Sequence, residues 1–489
     1  MPPHQFMNRT IILLLIYFIL WTILPVVLAS SYPLDVPEGI YWGREWQWGY
    51  YKHPPLSSWV LYSFYAIFGQ VGPYLLSQIC IGLTMWFVYK LGRQLFCPAK
   101  AQMGSLLVLA VFYYTWPSLE FNHNIAQMPI WAALIYVFYL ASRENKWWQW
   151  LSFGILAGAG MLIKYPIAIL LITIVLYSLI TPYRKLWLST KPWVAIGLAA
   201  AIFAPNVLWL IQHEWLPFTY AQSRSAEAAE GQPRLKAFGF LLTQFINLIP
   251  LFLILIANKI RLKTNANIVR SDQFFLLFIG LFPAFFIFAI GLIFGIGIRD
   301  MWGSPMWCLS GLILVSFIPE HIFTQKQAAL KKGLIIWLIL ITILMAAYVQ
   351  FGGQIRNKPS RMDWPQQTLT QHVDQQWQKI SHCRLDSTSG ADWLAMLVAA
   401  SSQYSPSVMI SGTEKYSPWM NQTRLIQHGT FSLWEKDKPP VIPFWQQLQS
   451  NPNFIIQRGT WEIKWEKVPN KAPLTVEWMA FVPKQCAKN

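Results

Sequence analysis

The chain has 489 residues, of which 55% are hydrophobic, 16% aromatic and only 12% charged, too little polar surface to cover a water-soluble globule of this size. Its 38 lysines and arginines outnumber 21 acids, yet the cations are scattered and no basic helix or aromatic-basic platform gathers them, which argues against nucleic acid. The composition is that of a membrane protein, in which an excess of cations follows from the bias of Lys and Arg toward cytoplasmic loops.

In chain order, stretches apolar enough to cross a bilayer fall at 9–30, 71–92, 101–117, 123–142, 147–163, 165–182, 193–212, 237–258, 272–294, 302–319 and 333–351. About 11 transmembrane helices are predicted, and an odd number puts the two termini on opposite sides. One set of loops holds Lys90, Arg93, Lys100, Arg143, Lys146, Arg184, Lys185, Lys191, Lys259, Arg261, Lys263, Arg270, Lys326, Lys331 and Lys332, which with Arg9 makes sixteen cations. The opposite loops hold seven: Arg44, Lys52, Lys164, Arg224, Arg234, Lys236 and Arg299. The N-terminus is therefore expected in the cytoplasm, with the 31–70 loop and everything after about 352 outside. "VLAS" near residue 30 loosely resembles a cleavage site, but the apolar core before it is longer than a signal core and reads as a retained anchor.

The first outer loop carries the densest chemistry, in "LDVPEGIYWGREWQWGYYKHPPLSSW" from Leu34 to Trp59. Asp35 and Glu38 stand three apart near the membrane boundary, where an apolar surround can raise a carboxylate toward general-base use. A helix cap with solvated charges is the plainer explanation for isolated acids. Carboxylates there also suit a divalent metal, although two acids alone are a weak metal signature, and no cofactor is otherwise indicated. Arg44, Lys52 and His53 put cations on the same loop, as a site needs if it activates a hydroxyl and holds an anionic leaving group. "HPPL" then leads into an apolar stretch, 56–69, too short to span and read as a helix along the interface. The loop aromatics read mostly as an interfacial belt.

Later outward segments add candidates. "FNHNIAQMPIW" places His123 and Asn124 at a helix start, and "MLIKYP" sets Lys164, with Tyr165 beside it, in a tight hairpin where a lysine binds an anion or snorkels. "RSAEAAEGQPR", from Arg224 to Arg234, lies in an outer loop at 213–236 that reads as a mobile lid, while Arg299 has Asp300 as a neighbour to pair with. Beyond 352 the composition turns polar. "ADWLAMLVAASSQ" reads as a helix, and "PSVMISG" and "LTVEWMAFVP" as strands, of a small α/β domain at 352–489. In an oxidising compartment Cys383 and Cys486 would pair and tie that domain's start to its end.

"GREWQWGYYKHPPLSSW" resembles the first outer loop of membrane glycosyltransferases related to the protein O-mannosyltransferases and the aminoarabinose transferases, the bacterial members especially. "NHNIAQMPIW", "GMLIKYPIAIL" and "APNVLWLIQHEWLPFTYA" resemble that family's later landmarks in the same order, so the resemblance runs over about 9–320 and is weak in the tail. It implies a C-type glycosyltransferase fold: a polytopic α-helical membrane domain at 1–351 with a small extracytoplasmic α/β domain at 352–489. The implied reaction moves a sugar, usually with inversion, from a polyprenyl-phosphate carrier to an acceptor hydroxyl on a lipid, glycan or protein. It would occur at the periplasmic face of a bacterial inner membrane. An acid of the first outer loop would be the base, with Arg44, Lys52, His53, His123, Asn124, Lys164, Tyr165, Arg224, Arg234 and Arg299 as substrate- and phosphate-binding candidates.

The sequence departs from the family twice. Its usual adjacent Asp-Glu pair aligns with Pro37 and Glu38, so Asp35 is expected to take the missing place, ahead of Glu38 as the base. Asn124 stands where many relatives carry Asp, and an amide can orient a ligand but not act as a base. The competing reading is a lipid-linked sugar transporter or flippase. That function calls for charged groups in mid-span, and the central portions of these spans hold almost none.

Overall fold

The computed structural model describes residues 3–263 and 268–488. The chain divides into two compact units, the first made of Met1–Thr22, Lys52–Ser57 and Tyr74–Ile343, the second of Ile23–Tyr51, Ser58–Pro73 and Leu344–Asn489.

The first unit is helical. Among the described residues of the whole chain, six helices are long and apolar enough to cross a membrane, and two bent pairs raise the number to eight. One pair, Ile167–Ile180 and Pro182–Leu188, turns through 105°, where Pro182 has no N–H with which to continue the helix. Helix His123–Glu144 is buried almost throughout and forms the centre of this unit. Helix Trp147–Ile163 packs on Thr190–Gln212 through small residues. A Cβ at Gly154 would stand 2.6 Å from the Ala195 carbonyl oxygen, the kind of backbone approach that joins apolar helices without a hydrophobic driving force.

Three of the expected spans are not single helices; 237–258 is the second bent pair, Pro233–Asn247 and Ile249–Ala257, with a 43° turn between them. After helix Pro98–Leu106 the chain runs through buried 3-10 turns as far as Leu119, and 302–319 is a long 3-10 segment, Asp300–Leu309, followed by helix Ser310–Ser316. Irregular backbone at membrane depth survives only when protein satisfies it. Here Tyr113 donates to the Asp300 carbonyl at 2.8 Å and Tyr114 to that of Pro305 at 3.1 Å, so side chains of the first segment satisfy carbonyls of the second. The 213–236 stretch, read from sequence as a polar loop, holds helix Leu216–Ala229 and the start of helix Pro233–Asn247. Its alanines favour helix.

The second unit contains a five-stranded sheet: β1 Ser387–Gly390, β2 Ser407–Val408, β3 Thr430–Glu435, β4 Phe454–Ile463 and β5 Leu474–Pro483, in the order β2-β1-β3-β5-β4. β1 runs parallel to β2 and β3, with helix Asp392–Ser401 as the crossover to β2, while β5 is antiparallel to β3 and β4. Phe431, Trp461 and Trp478 from three adjacent strands stack at centroid distances of 5.3–5.9 Å, and a buried side chain of the size of Phe431 contributes roughly 1.5–3 kcal/mol. Cys383 and Cys486 are joined in a disulfide spanning 103 positions.

The acid-bearing helix Asp35–Glu45 belongs to this second unit. It stops at Trp46, whose φ of 48° is left-handed and cannot extend a helix. A Cβ at Gly43 would run into the Ser58 carbonyl oxygen, which explains a glycine where helix Leu56–Phe68 comes closest. Arg44 donates to the Pro406 carbonyl at 2.7 Å, Ser407 donates to Glu45 at 2.6 Å, and Tyr65 donates to the Ala400 carbonyl at 2.7 Å. The first-loop segment is thus fastened to residues more than 300 positions away.

Candidate active site

In the second unit Asp35 lies in the first turn of its helix, half-buried, and Glu38 one turn on with 6% of its surface exposed. Glu38 sits among aromatic rings. The Tyr51 hydroxyl points at its Oε1 from 3.5 Å, and Tyr51 packs on Tyr416 of the sheet domain at 4.9 Å. Trp42 stacks on Tyr50 at 4.8 Å, and Trp419 stands 6.1 Å from Tyr41. The Tyr41 hydroxyl is buried without a hydrogen-bond partner among the described residues. Burial first, and then the Glu38 carboxylate, push its phenol well above the usual range. A carboxylate in such surroundings meets the two conditions for a general base, restricted water and fixed direction.

In the first unit three segments distant in sequence bring cations and amides together. Asn122 caps helix His123–Glu144, its side chain accepting from the Asn124 N–H at 2.9 Å. That cap fixes the next two side chains. His123 meets His53 ring to ring at 3.9 Å. Lys164, from the turn after helix Trp147–Ile163, donates to the Asn124 Oδ1. His123, Asn124 and Lys164 are each less than 10% exposed. Lys52 lies over the Tyr220 ring at 5.5 Å, and the Tyr165 hydroxyl donates to the fully buried Asn206 at 3.2 Å. This collection of N–H donors and positive charge can hold an anion.

The His53 imidazole is held well below its usual range by burial, and then by His123, Lys164 and Lys52. Because the folded value is depressed, the neutral ring's contribution to stability is complete above about pH 6.5 and is lost as pH falls toward the folded value. An arriving phosphodiester, which does not titrate in this range, would oppose that repulsion and raise the imidazole again. We expect its binding to take up protons and to tighten between pH 8 and 6, by at most about tenfold per unit for one proton. Calorimetry in buffers of different ionisation enthalpy reads the uptake directly, and a value of zero would mean that His53 stays neutral in the complex.

The remaining expected anion-binding residues lie elsewhere. Arg44 is committed to Pro406, Arg224 and Arg299 share the Glu227 carboxylate, the latter at 3.2 Å, and Arg234 is exposed at the start of its helix. Arg299 therefore pairs with Glu227, not with its neighbour Asp300. Among the described residues no three His, Cys, Asp or Glu side chains gather as a metal site. Tyr220 and Asn206, absent from the sequence-derived set, lie at the two ends of the "APNVLWLIQHEWLPFTYA" landmark, and Tyr416 and Trp419 had no signal beyond being aromatic.

Residues 52–209 match the family described as dolichyl-phosphate-mannose-protein mannosyltransferase. Among solved structures, ArnT from Cupriavidus metallidurans bound to undecaprenyl phosphate aligns with 96% of this chain and 98% of its own at a TM-score of 0.63 and 12% identity. The apo state of the same protein aligns over 97% and 98% at a TM-score of 0.61, also at 12% identity. The fold is that of these C-type glycosyltransferases, polytopic and helical with a small C-terminal sheet domain. A search of the curated proteins finds no match.

Proposed function

We infer that this chain, a membrane glycosyltransferase of the superfamily shared by the protein O-mannosyltransferases and the aminoarabinose transferases, transfers a sugar from a polyprenyl-phosphate carrier to an acceptor hydroxyl with inversion. The observation that carries the reading is the cluster of His53, His123, Asn124 and Lys164, a largely buried group of N–H donors and positive charge assembled from three separate segments. The same residues supply the sequence landmarks of the family.

In this mechanism Glu38 takes the acceptor's hydroxyl proton, and Asp35 orients the acceptor. Burial of Glu38 among aromatics favours it as the base over the half-exposed Asp35. The acceptor oxygen attacks the anomeric carbon on the face opposite the phosphate, the bond from that carbon to the phosphate oxygen breaks, and the phosphate departs with the electron pair. Lys164, Lys52 and His53 donate to it, so that negative charge develops against groups already in position. The acceptor is a lipid, glycan or protein hydroxyl. By the loop charges the reaction faces the periplasm of a bacterial inner membrane.

The test is transfer by the purified protein in proteoliposomes carrying radiolabelled polyprenyl-phosphate sugars and a panel of acceptors. Sugar transferred should equal polyprenyl phosphate released, with the opposite anomeric configuration in the product. Labelled donor that crosses the membrane intact, with no product formed, would instead identify a flippase.

A further inference from the structure

The first unit carries a half-open cavity of about 280 Å³ that the glycosyl-transfer reading does not use. Its walls come from helices His123–Glu144, Trp147–Ile163, Ile167–Ile180 and Thr190–Gln212, and include Phe138, Phe153, Ala157, Ile174, Ala199 and Phe203. The lining is hydrocarbon except for Ser178, whose hydroxyl is already engaged, accepting from the Trp187 indole at 2.8 Å and donating to the Val175 carbonyl at 2.7 Å. Water needs two to four polar partners and stays out of apolar cavities of even ~150 Å³, which take up hydrocarbon instead. A bilayer supplies alkyl chains to any such space open to it.

The segment that closes the cavity indicates which lipid enters. After the 105° bend, Pro182–Leu188 lays Leu186 and Trp187 over the cavity and leaves Arg184 and Lys185 exposed. Other cations of the same loops are engaged: Lys146 pairs with Glu144 at 2.8 Å, Arg143 with Asp272, and Lys191 donates to the Asn145 carbonyl at 2.5 Å. Arg184 and Lys185 make no ion pair among the described residues. Two basic side chains beside a hydrocarbon cavity complement a lipid with an anionic headgroup.

We propose that this cavity holds one acyl chain of an anionic phospholipid whose phosphate lies over Arg184 and Lys185. The polyprenyl donor would enter from the other end of the cavity, where Phe203 meets Tyr165 at 6.2 Å, and would place its phosphate at Lys164 rather than at Arg184 and Lys185.

The test is native mass spectrometry of the protein released from nanodiscs of equal phosphatidylglycerol and phosphatidylcholine. The parent should retain about one phosphatidylglycerol. Ala157→Phe, which fills the cavity, should retain none, and the milder Ala157→Leu should retain it at least fivefold less. The double variant Arg184→Gln with Lys185→Gln should keep a bound lipid but lose the preference for phosphatidylglycerol, by roughly fivefold per cation. As a check on folding, added phosphatidylglycerol should raise the thermal midpoint of the parent but not of Ala157→Leu. The proposal is overturned if the parent keeps no lipid, keeps polyprenyl phosphate or phosphatidylcholine instead, or if Ala157→Leu keeps as much phosphatidylglycerol as the parent.

Discussion

Glu38→Gln should lower the transfer rate by about 10²–10⁴, the usual contribution of a positioned general base, with KM for the lipid-linked donor changed by less than about threefold. Glutamine matches glutamate in shape, and its Oε1 can still accept from the Tyr51 hydroxyl. The helix should therefore stay in place, and the loss should fall on kcat. Asp35→Asn should cost less in kcat and raise KM for the acceptor, since that residue is assigned an orienting part. Rates measured at saturating donor, with thermal midpoints confirming that each variant is folded, separate these outcomes. If Asp35→Asn loses the larger share, the two assignments exchange. If both variants retain parental kcat, the proton goes elsewhere and neither acid is the base.

Lys164→Gln should be nearly as damaging, about 10²–10³ in kcat, as is usual when one donor to a developing negative charge is removed. KM for the donor should rise as well, because the ammonium acts on the phosphate both before and during transfer. The neutral amide can still meet Asn124, so the buried cluster need not be left with an unpaired group. Equilibrium binding of polyprenyl phosphate to the variant is the direct measurement. Unchanged affinity together with unchanged kcat would reduce Lys164 to a brace for the helix start at Asn122.

The membrane class and the individual members of the His53, Asn124 and Lys164 cluster were legible in the sequence, because both rest on local signals. Twenty-residue apolar runs announce spans, and His53, Asn124 and Lys164 each stand in a short motif at a helix start or hairpin. Their meeting was legible only through the order of the landmarks. Other features left no local trace. β1 reads "STSG", four small residues with no apolar alternation, yet all four are buried and Ser389 meets Ser432 at 2.6 Å. An arginine beside two acids in an outer loop invites a reading as a phosphate ligand, and nothing local announces that the Arg44 guanidinium donates to a carbonyl 362 positions later. The glutamate that gathers Arg224 and Arg299 sits in a polar, alanine-rich stretch that forms helix Leu216–Ala229 without an apolar face to announce it. Proline-broken segments at 107–119 and 300–309 hydrophobicity cannot tell from helix, since the same apolar residues serve both.

The anchoring of helix Asp35–Glu45 on Pro406 and Ser407 bears on how such proteins can be recombined. A tail exchanged between two relatives at residue 352 would arrive without the surface that its own first loop was shaped to fit, and the carboxylates would be mounted on a foreign support. Exchange of 23–51, 58–73 and 344–489 together would move the mounting as one piece. Inheritance should then treat these three separated stretches as a single cassette, however far apart the chain writes them.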